Sequence, residues 1–122
     1  MKGQGGGKIV NIASGTFFAG VPLEAHYVAS KGAIIGFTRA ISRELGQYNI
    51  TVNALASGFT LTEAAKANTP EEDYKNALIQ TRSLKRSEVP DDLVGTMIFL
   101  CCPDSNFMTG QTVLVDGGRA LN

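Results

Sequence analysis

Lys8-Ile9-Val10-Asn11-Ile12-Ala13 and Ile50-Thr51-Val52-Asn53-Ala54-Leu55-Ala56 are the stretches on which the fold turns. Each is a short apolar run, rich in β-branched residues and bounded by turn formers. A glycine cluster precedes the first and Ser14-Gly15 follows it; Ser57-Gly58 closes the second. This is the pattern of buried strands. Ile9, Val10 and Ile12 do not alternate cleanly with polar residues, so the first strand is expected to be covered on both faces. Between the two runs, residues 15–24 read as a loop punctuated by Gly20 and Pro22. From about Ala25 to Leu45 the pattern is helical, with Ile34, Phe37, Ile41 and Leu45 as its apolar stripe and Gly46 as its stop.

Further along, residues 60–80 are polar and alanine-rich, with an N-cap expected at Thr69 before Pro70 and two glutamates. A helix is predicted over 90–102. Pro90, Asp91 and Asp92 suit its first turn, Leu93, Val94, Met97, Ile98 and Cys101 form its buried face, and Pro103 helps to end it. Gln111 to Val115 reads as a third strand, followed by Asp116-Gly117-Gly118. Strand, helix, strand, helix, strand predicts an α/β fold of about three parallel strands with crossover helices.

A chain of 122 residues suggests one domain or part of one. Eleven basic and eleven acidic side chains cancel, so no positive field exists to hold a phosphate backbone, and nucleic acid is not an expected partner. The longest apolar runs fall far below the ~20 residues that a bilayer span needs, and residues 1–5 have no apolar stretch of the signal-peptide kind. Cys101 and Cys102 are adjacent, which implies no internal disulfide; buried or half-buried thiols in a reducing cytoplasm are expected. No metal site is expected.

Tyr27 and Lys31 carry the chemistry. Four residues is about one helical turn, so the two lie on one face. A free tyrosine titrates near ~10 and is a poor base at neutral pH, whereas an ammonium one turn away favours the phenolate. Such a pair can exchange a proton with an alcohol or carbonyl oxygen. Ser14, at the C-terminal end of a buried strand, stands where parallel-sheet proteins place their ligands. Two other features carry less. Gly3-Gln4-Gly5-Gly6-Gly7-Lys8 has the look of a phosphate loop, but it precedes a strand instead of joining a strand to a helix, and it reads as a flexible entry turn. His26 neighbours Tyr27, yet adjacent helical positions point about 100° apart, so a solvent-facing side chain is expected.

Taken in order, G-K-I-V-N-I-A-S, then Y-V-A-S-K-G-A, then I-T-V-N-A-L-A-S-G, then M-T-G-Q-T-V-L-V-D-G-G closely resembles the catalytic half of the short-chain dehydrogenase/reductase family, over nearly the whole chain. The resemblance implies part of a Rossmann-like fold. It also implies that Ser14 orients the substrate oxygen, that Tyr27 is the general acid/base, and that Lys31 tunes Tyr27 and holds the nicotinamide ribose hydroxyls. The loop from Ser57 to Thr62 matches the family's segment after the next strand. There Ser57 and Gly58 would border the cofactor, backbone groups near Thr60 would meet its carboxamide, and the Thr62 hydroxyl would reach it. Ser57 stands where the family usually has proline, so the loop lacks a fixed φ.

The resemblance implies NAD or NADP as cofactor and a small carbonyl or alcohol as substrate. The family's nucleotide-binding half, with its glycine-rich turn and its catalytic asparagine, has no counterpart here, and residues 1–3 read like the middle of a longer frame. The chain alone is therefore expected to be inactive and to bind no dinucleotide with useful affinity. Two other readings stand beside this one: an enzyme completed by a second chain, and a non-catalytic structural or oligomerisation module. The chain is expected to form a homo-oligomer, a dimer or higher, stabilised by an uncovered strand edge that recruits another chain, by the Ala25–Leu45 helix, or by both.

Overall fold

A computed structural model of the chain describes residues 1–68 and 72–121, with the backbone alone for 68 and 73–75. Three strands form one parallel sheet, as the sequence predicts; their order in it is β1 (Gly7–Ser14), β2 (Ile50–Ser57), β3 (Thr112–Val115). The helices are α1 (Thr16–Ala19), α2 (Ala25–Leu45), α3 (Glu63–Asn68), α4 (Glu72–Gln80) and α5 (Asp91–Cys101). The N-cap expected at Thr69 lies outside the described residues. None of the helices described is long and apolar enough to cross a membrane.

β2 is the central strand, and Val52, Asn53, Ala54, Leu55 and Ala56 are all buried in it. Because side chains alternate along a strand, its two faces have different characters. Ala54 and Ala56, with Ala13 of β1, form a shallow face against Ile35, Ile34 and Phe18, so α2 can approach closely. On the other face Leu55 and Ile12 line an open apolar groove together with Leu93, Val94, Met97 and Ile98 of α5. This cover is incomplete: Ile12 is half-exposed, where the sequence reading anticipates cover on both sides.

Several sequence expectations shift. The loop 15–24 contains α1, which starts where the Thr16 N–H donates to Ser14 Oγ (3.2 Å) and ends at left-handed Gly20. The α2 stripe is rotated by one residue. Ile35, Thr38 and Ser42 are its buried positions, Ile34, Ile41 and Leu45 are half-buried, and Phe37 is 55% exposed. Close approach explains the choice. Thr38 Oγ1 satisfies itself on the Ile34 carbonyl (2.8 Å) while accepting from Asn11 Nδ2 (2.9 Å). Ser42 leaves room for Gly110, where a Cβ would come within 2.8 Å of its Oγ. Gly46 keeps a right-handed conformation, and the chain turns only at Asn49 (φ 56°), after one 3₁₀ turn. In α5 the fully buried residue is Leu100, whereas Val94, Ile98 and Cys101 are exposed and Leu93 and Met97 half-buried. A helix laid over a three-stranded sheet presents only a narrow strip to it, and that strip does not include the whole apolar stripe.

Thr38→Val should lower stability by about 1–3 kcal/mol, because it keeps the shape but leaves the amide of Asn11 without its acceptor. Urea unfolding measures this, and an unchanged midpoint would show that the Asn11–Thr38 bond contributes nothing.

Candidate active site

The two ladders share one register. Ser14 pairs with Ser57 and Ser57 with Val115, so the three strands end at one level and are followed by Gly15, Gly58 and Asp116. The Gly15 N–H donates to the Ser57 carbonyl (2.7 Å) and the Gly58 N–H to the Val115 carbonyl (2.9 Å), which ties the exits together. In a parallel sheet this rim is where ligands bind.

Ser14 is buried, and its Oγ accepts from both the backbone N–H and the hydroxyl of Thr16, at 3.2 and 3.0 Å. With its acceptor positions taken, the hydroxyl is left with a proton to donate. Tyr27, in the first turn of α2, is 39% exposed. Lys31 lies one turn on, its Nζ 5.5 Å from the centroid of the Tyr27 ring and donating to the Ile12 carbonyl at 3.1 Å. That bond fixes α2 against the outer strand two residues before Ser14. Among the described residues no hydrogen bond joins Ser14 to Tyr27. His26 faces solvent, as expected.

The predicted loop residues follow β2. Ser57 pairs with both neighbouring strands. Gly58 does not adopt a left-handed conformation; space is what demands glycine there, since a Cβ would lie 2.5 Å from Glu88 Oε2 and 2.9 Å from the Cβ of Asp116. Thr60 donates from its hydroxyl to Glu88 Oε1 (2.7 Å), and the Thr62 hydroxyl accepts from the Ala65 N–H (3.0 Å), capping α3. The backbone near Thr60 is partly committed already: the Leu61 N–H goes to the Glu88 carbonyl (2.7 Å) and the Thr60 carbonyl accepts from Thr62 (2.9 Å).

Sequence reasoning missed the groups behind this loop. Arg82 and Glu88 are 3% and 4% exposed, with Arg82 Nη2 3.6 Å from Glu88 Oε2. Burial pushes the Glu88 carboxyl above the usual range, against the opposing pull of the Thr60 hydroxyl and then the Arg82 charge. Asp116 is buried too, its carboxylate accepting the N–H groups of Gly118, Arg119 and Ala120. Asp116-Gly117-Gly118 is legible as a turn, but nothing in the sequence marks 82 and 88 as partners of 59 and 60. Cys101 is exposed, against expectation, and Cys102 half-buried; both thiols are free.

A family model described as enoyl-(acyl carrier protein) reductase matches residues 1–120. The short-chain reductase protein NovJ of Streptomyces niveus is 36% identical over 98% of this chain and 47% of its own length. The 7alpha-hydroxysteroid dehydrogenase of Bacteroides fragilis is 40% identical over 100% and 47%. Among solved structures, a short-chain type dehydrogenase/reductase from Mycobacterium ulcerans superposes with a TM-score of 0.92 at 27% identity, over 98% of this chain and 43% of that one. The 3-oxoacyl-[acyl-carrier protein] reductase of Brucella melitensis gives 0.84 at 35%, over 91% and 41%. The chain thus spans about half the length of the relatives it matches.

Next to the loop, the Arg86 guanidinium grips Asp92 through two bonds of 2.7 and 2.6 Å, and Asp92 also accepts the Val89 N–H at 2.9 Å. The Arg86 bond, foremost, holds the Asp92 carboxyl at about 2, below its ordinary 3.8. A carboxyl depressed by folding contributes stability above its ordinary range and loses it as the pH falls toward the folded value. Asp92→Asn should therefore lower the melting temperature by a constant amount above about pH 5, with the gap to the parent closing between about pH 4 and 2. A gap independent of pH would show that the charge of Asp92 plays no part.

Proposed function

Because the chain belongs to the short-chain dehydrogenase/reductase family, we propose that it supplies the acid–base half of an NAD(P)-dependent oxidoreductase interconverting a carbonyl and a secondary alcohol. The anchoring of Lys31 on the Ile12 carbonyl supports this most directly, since it sets the Tyr27–Lys31 face of α2 beside the strand end that bears Ser14. A bound nicotinamide supplies or accepts the hydride. In the reducing direction Tyr27 gives its phenolic proton to the oxygen that becomes the hydroxyl, and in the oxidising direction it takes that proton back. Ser14 donates its remaining proton as a hydrogen bond to the same oxygen.

The donor set suits the nicotinamide end of the cofactor. Lys31 spends one of its three N–H donors on Ile12, which leaves others for ribose hydroxyls. Ser57, Gly58, Thr60 and Thr62 border the same rim. The pyrophosphate end is another matter. It needs a glycine-rich turn running from a strand into a helix N-terminus, and glycines 3–7 run into β1 instead. These 122 residues by themselves are accordingly assigned no useful affinity for NAD(H) or NADP(H), and turnover is assigned to a protein in which a nucleotide-binding half is supplied as well. The two free thiols suit a reducing cytoplasm.

Self-association belongs to the same reading. β1 is an edge strand, and beside it Ile12, Val94 and Ile98 are exposed, as is Phe37 on α2. An open strand edge flanked by apolar surface recruits a second chain. Light scattering should therefore find a dimer or higher oligomer, and nucleotide titration should find no micromolar dinucleotide binding. A stable monomer at high concentration refutes the first expectation and tight binding the second.

With a nucleotide-binding half supplied, Tyr27→Phe should reduce turnover by at least about 100-fold, the scale of a lost acid–base group. Cofactor affinity should stay nearly unchanged, since ring and packing are kept. Turnover within a few-fold of the parent would remove Tyr27 from the chemistry.

A further inference from the structure

The loop Ser57–Thr62 lacks the proline that the family resemblance puts at position 57, yet it is held at several points by one buried side-chain pair and its backbone. Arg82 Nη2 donates to the Phe59 carbonyl (2.7 Å) and Nη1 to the Arg86 carbonyl (3.1 Å). Glu88 accepts the Thr60 hydroxyl on its side chain and the Leu61 N–H on its carbonyl, both at 2.7 Å. Glu88 Oε2 also fills the space beside Gly58 where a Cβ would have to go.

As a stability device this pair is poor. Removing two charges from water is costly, and apolar residues of like volume are often as stabilising. Here the pair is also under-satisfied: among the described residues, buried Arg82 Nε and Glu88 Oε2 have no hydrogen-bond partner. What the pair does supply is direction. A planar guanidinium and a carboxylate hold fixed angles that an apolar contact cannot. Their targets, the Phe59 carbonyl and the Thr60 hydroxyl, are consecutive residues of the loop.

We propose that Arg82 and Glu88 are positioning residues, a buried clamp that fixes the Ser57–Thr62 loop at the rim of the sheet in place of a backbone-stiffening proline. The purpose of the clamp, to hold that loop against the nicotinamide end of a cofactor, rests on the function proposed above; its existence does not.

Amide hydrogen exchange on the whole chain, read by NMR, tests the clamp. In Arg82→Met/Glu88→Met both charges go, so neither is stranded. The amides of Gly58 and Leu61 should then exchange at least about tenfold faster, while those of Val52 and Ala54 in β2 change by less than about twofold. Glu88→Gln, which keeps an acceptor for Thr60, should retain most of the loop's protection. If the double variant does not fold, Thr60→Val removes only the hydroxyl link and should speed exchange at Leu61 in the same sense. Unchanged loop protection overturns the proposal, and so does a uniform loss across loop and strand, which would make the pair merely structural. A separate titration of the unaltered chain with millimolar nicotinamide mononucleotide distinguishes the two readings. Shifts at Thr60 to Thr62 support the assigned purpose. No shift there overturns the cofactor-facing reading, while the exchange result still decides the clamp.

Discussion

Strand β2 pairs with a parallel neighbour on each edge, and the register of those ladders sets Ser14, Ser57 and Val115 side by side. A slip of one residue in either ladder would turn Ala54 and Ala56 toward α5 and Leu55 toward α2. The close seat of α2 would be lost with it. α2 approaches the sheet because the residues beneath it are alanines and because its own buried positions, Thr38 and Ser42, are small. The place of Tyr27 and Lys31 thus descends from a backbone register two elements away. So does the Lys31–Ile12 bond, which requires α2 to run at one height across β1.

The rim has a polar underside of its own. Gly58, Asp116, Glu88 and Arg82 crowd together where β2 and β3 end, and each restricts the others. Asp116 gathers three backbone N–H groups around its carboxylate and so sets the direction of the chain after β3. Glu88 meets the loop after β2 both as a backbone partner and as a side chain. Burial raises the cost of every charge in this cluster, so each persists only with well-placed partners. Any function assigned to residues 57–62 therefore depends on a segment some thirty residues further along the chain.

Much of the architecture was legible in the sequence because it is written in local pattern. The apolar runs of β1 and β2, the long periodic stretch of α2 and the proline and aspartates that open α5 all report short-range physics, and the elements lie where that physics puts them. What failed depended on which neighbour an element meets. Phe37 belongs to an apolar stripe by spacing, yet only the sheet decides that Thr38 faces inward. Val94 and Ile98 read as core in a helix wheel, but the sheet beneath α5 is too narrow to cover them. α1 was hidden because one turn of helix depends on the Ser14 hydroxyl at its start, and such a turn has too few residues to show a period.

The site divides in the same way. Tyr27 and Lys31 were legible because four residues in a helix guarantee a shared face, and Ser14 because a strand followed by Ser-Gly announces its own end. By itself the sequence determined the strand and helix order, the pairing of tyrosine with lysine, and the likeness to a family. Only the tertiary structure decided that Lys31 is anchored on Ile12 and that Arg82 and Glu88 stand behind Thr60. The reason is physical: hydrogen bonds between residues distant in sequence follow from sheet register and helix approach, and no local periodicity encodes either.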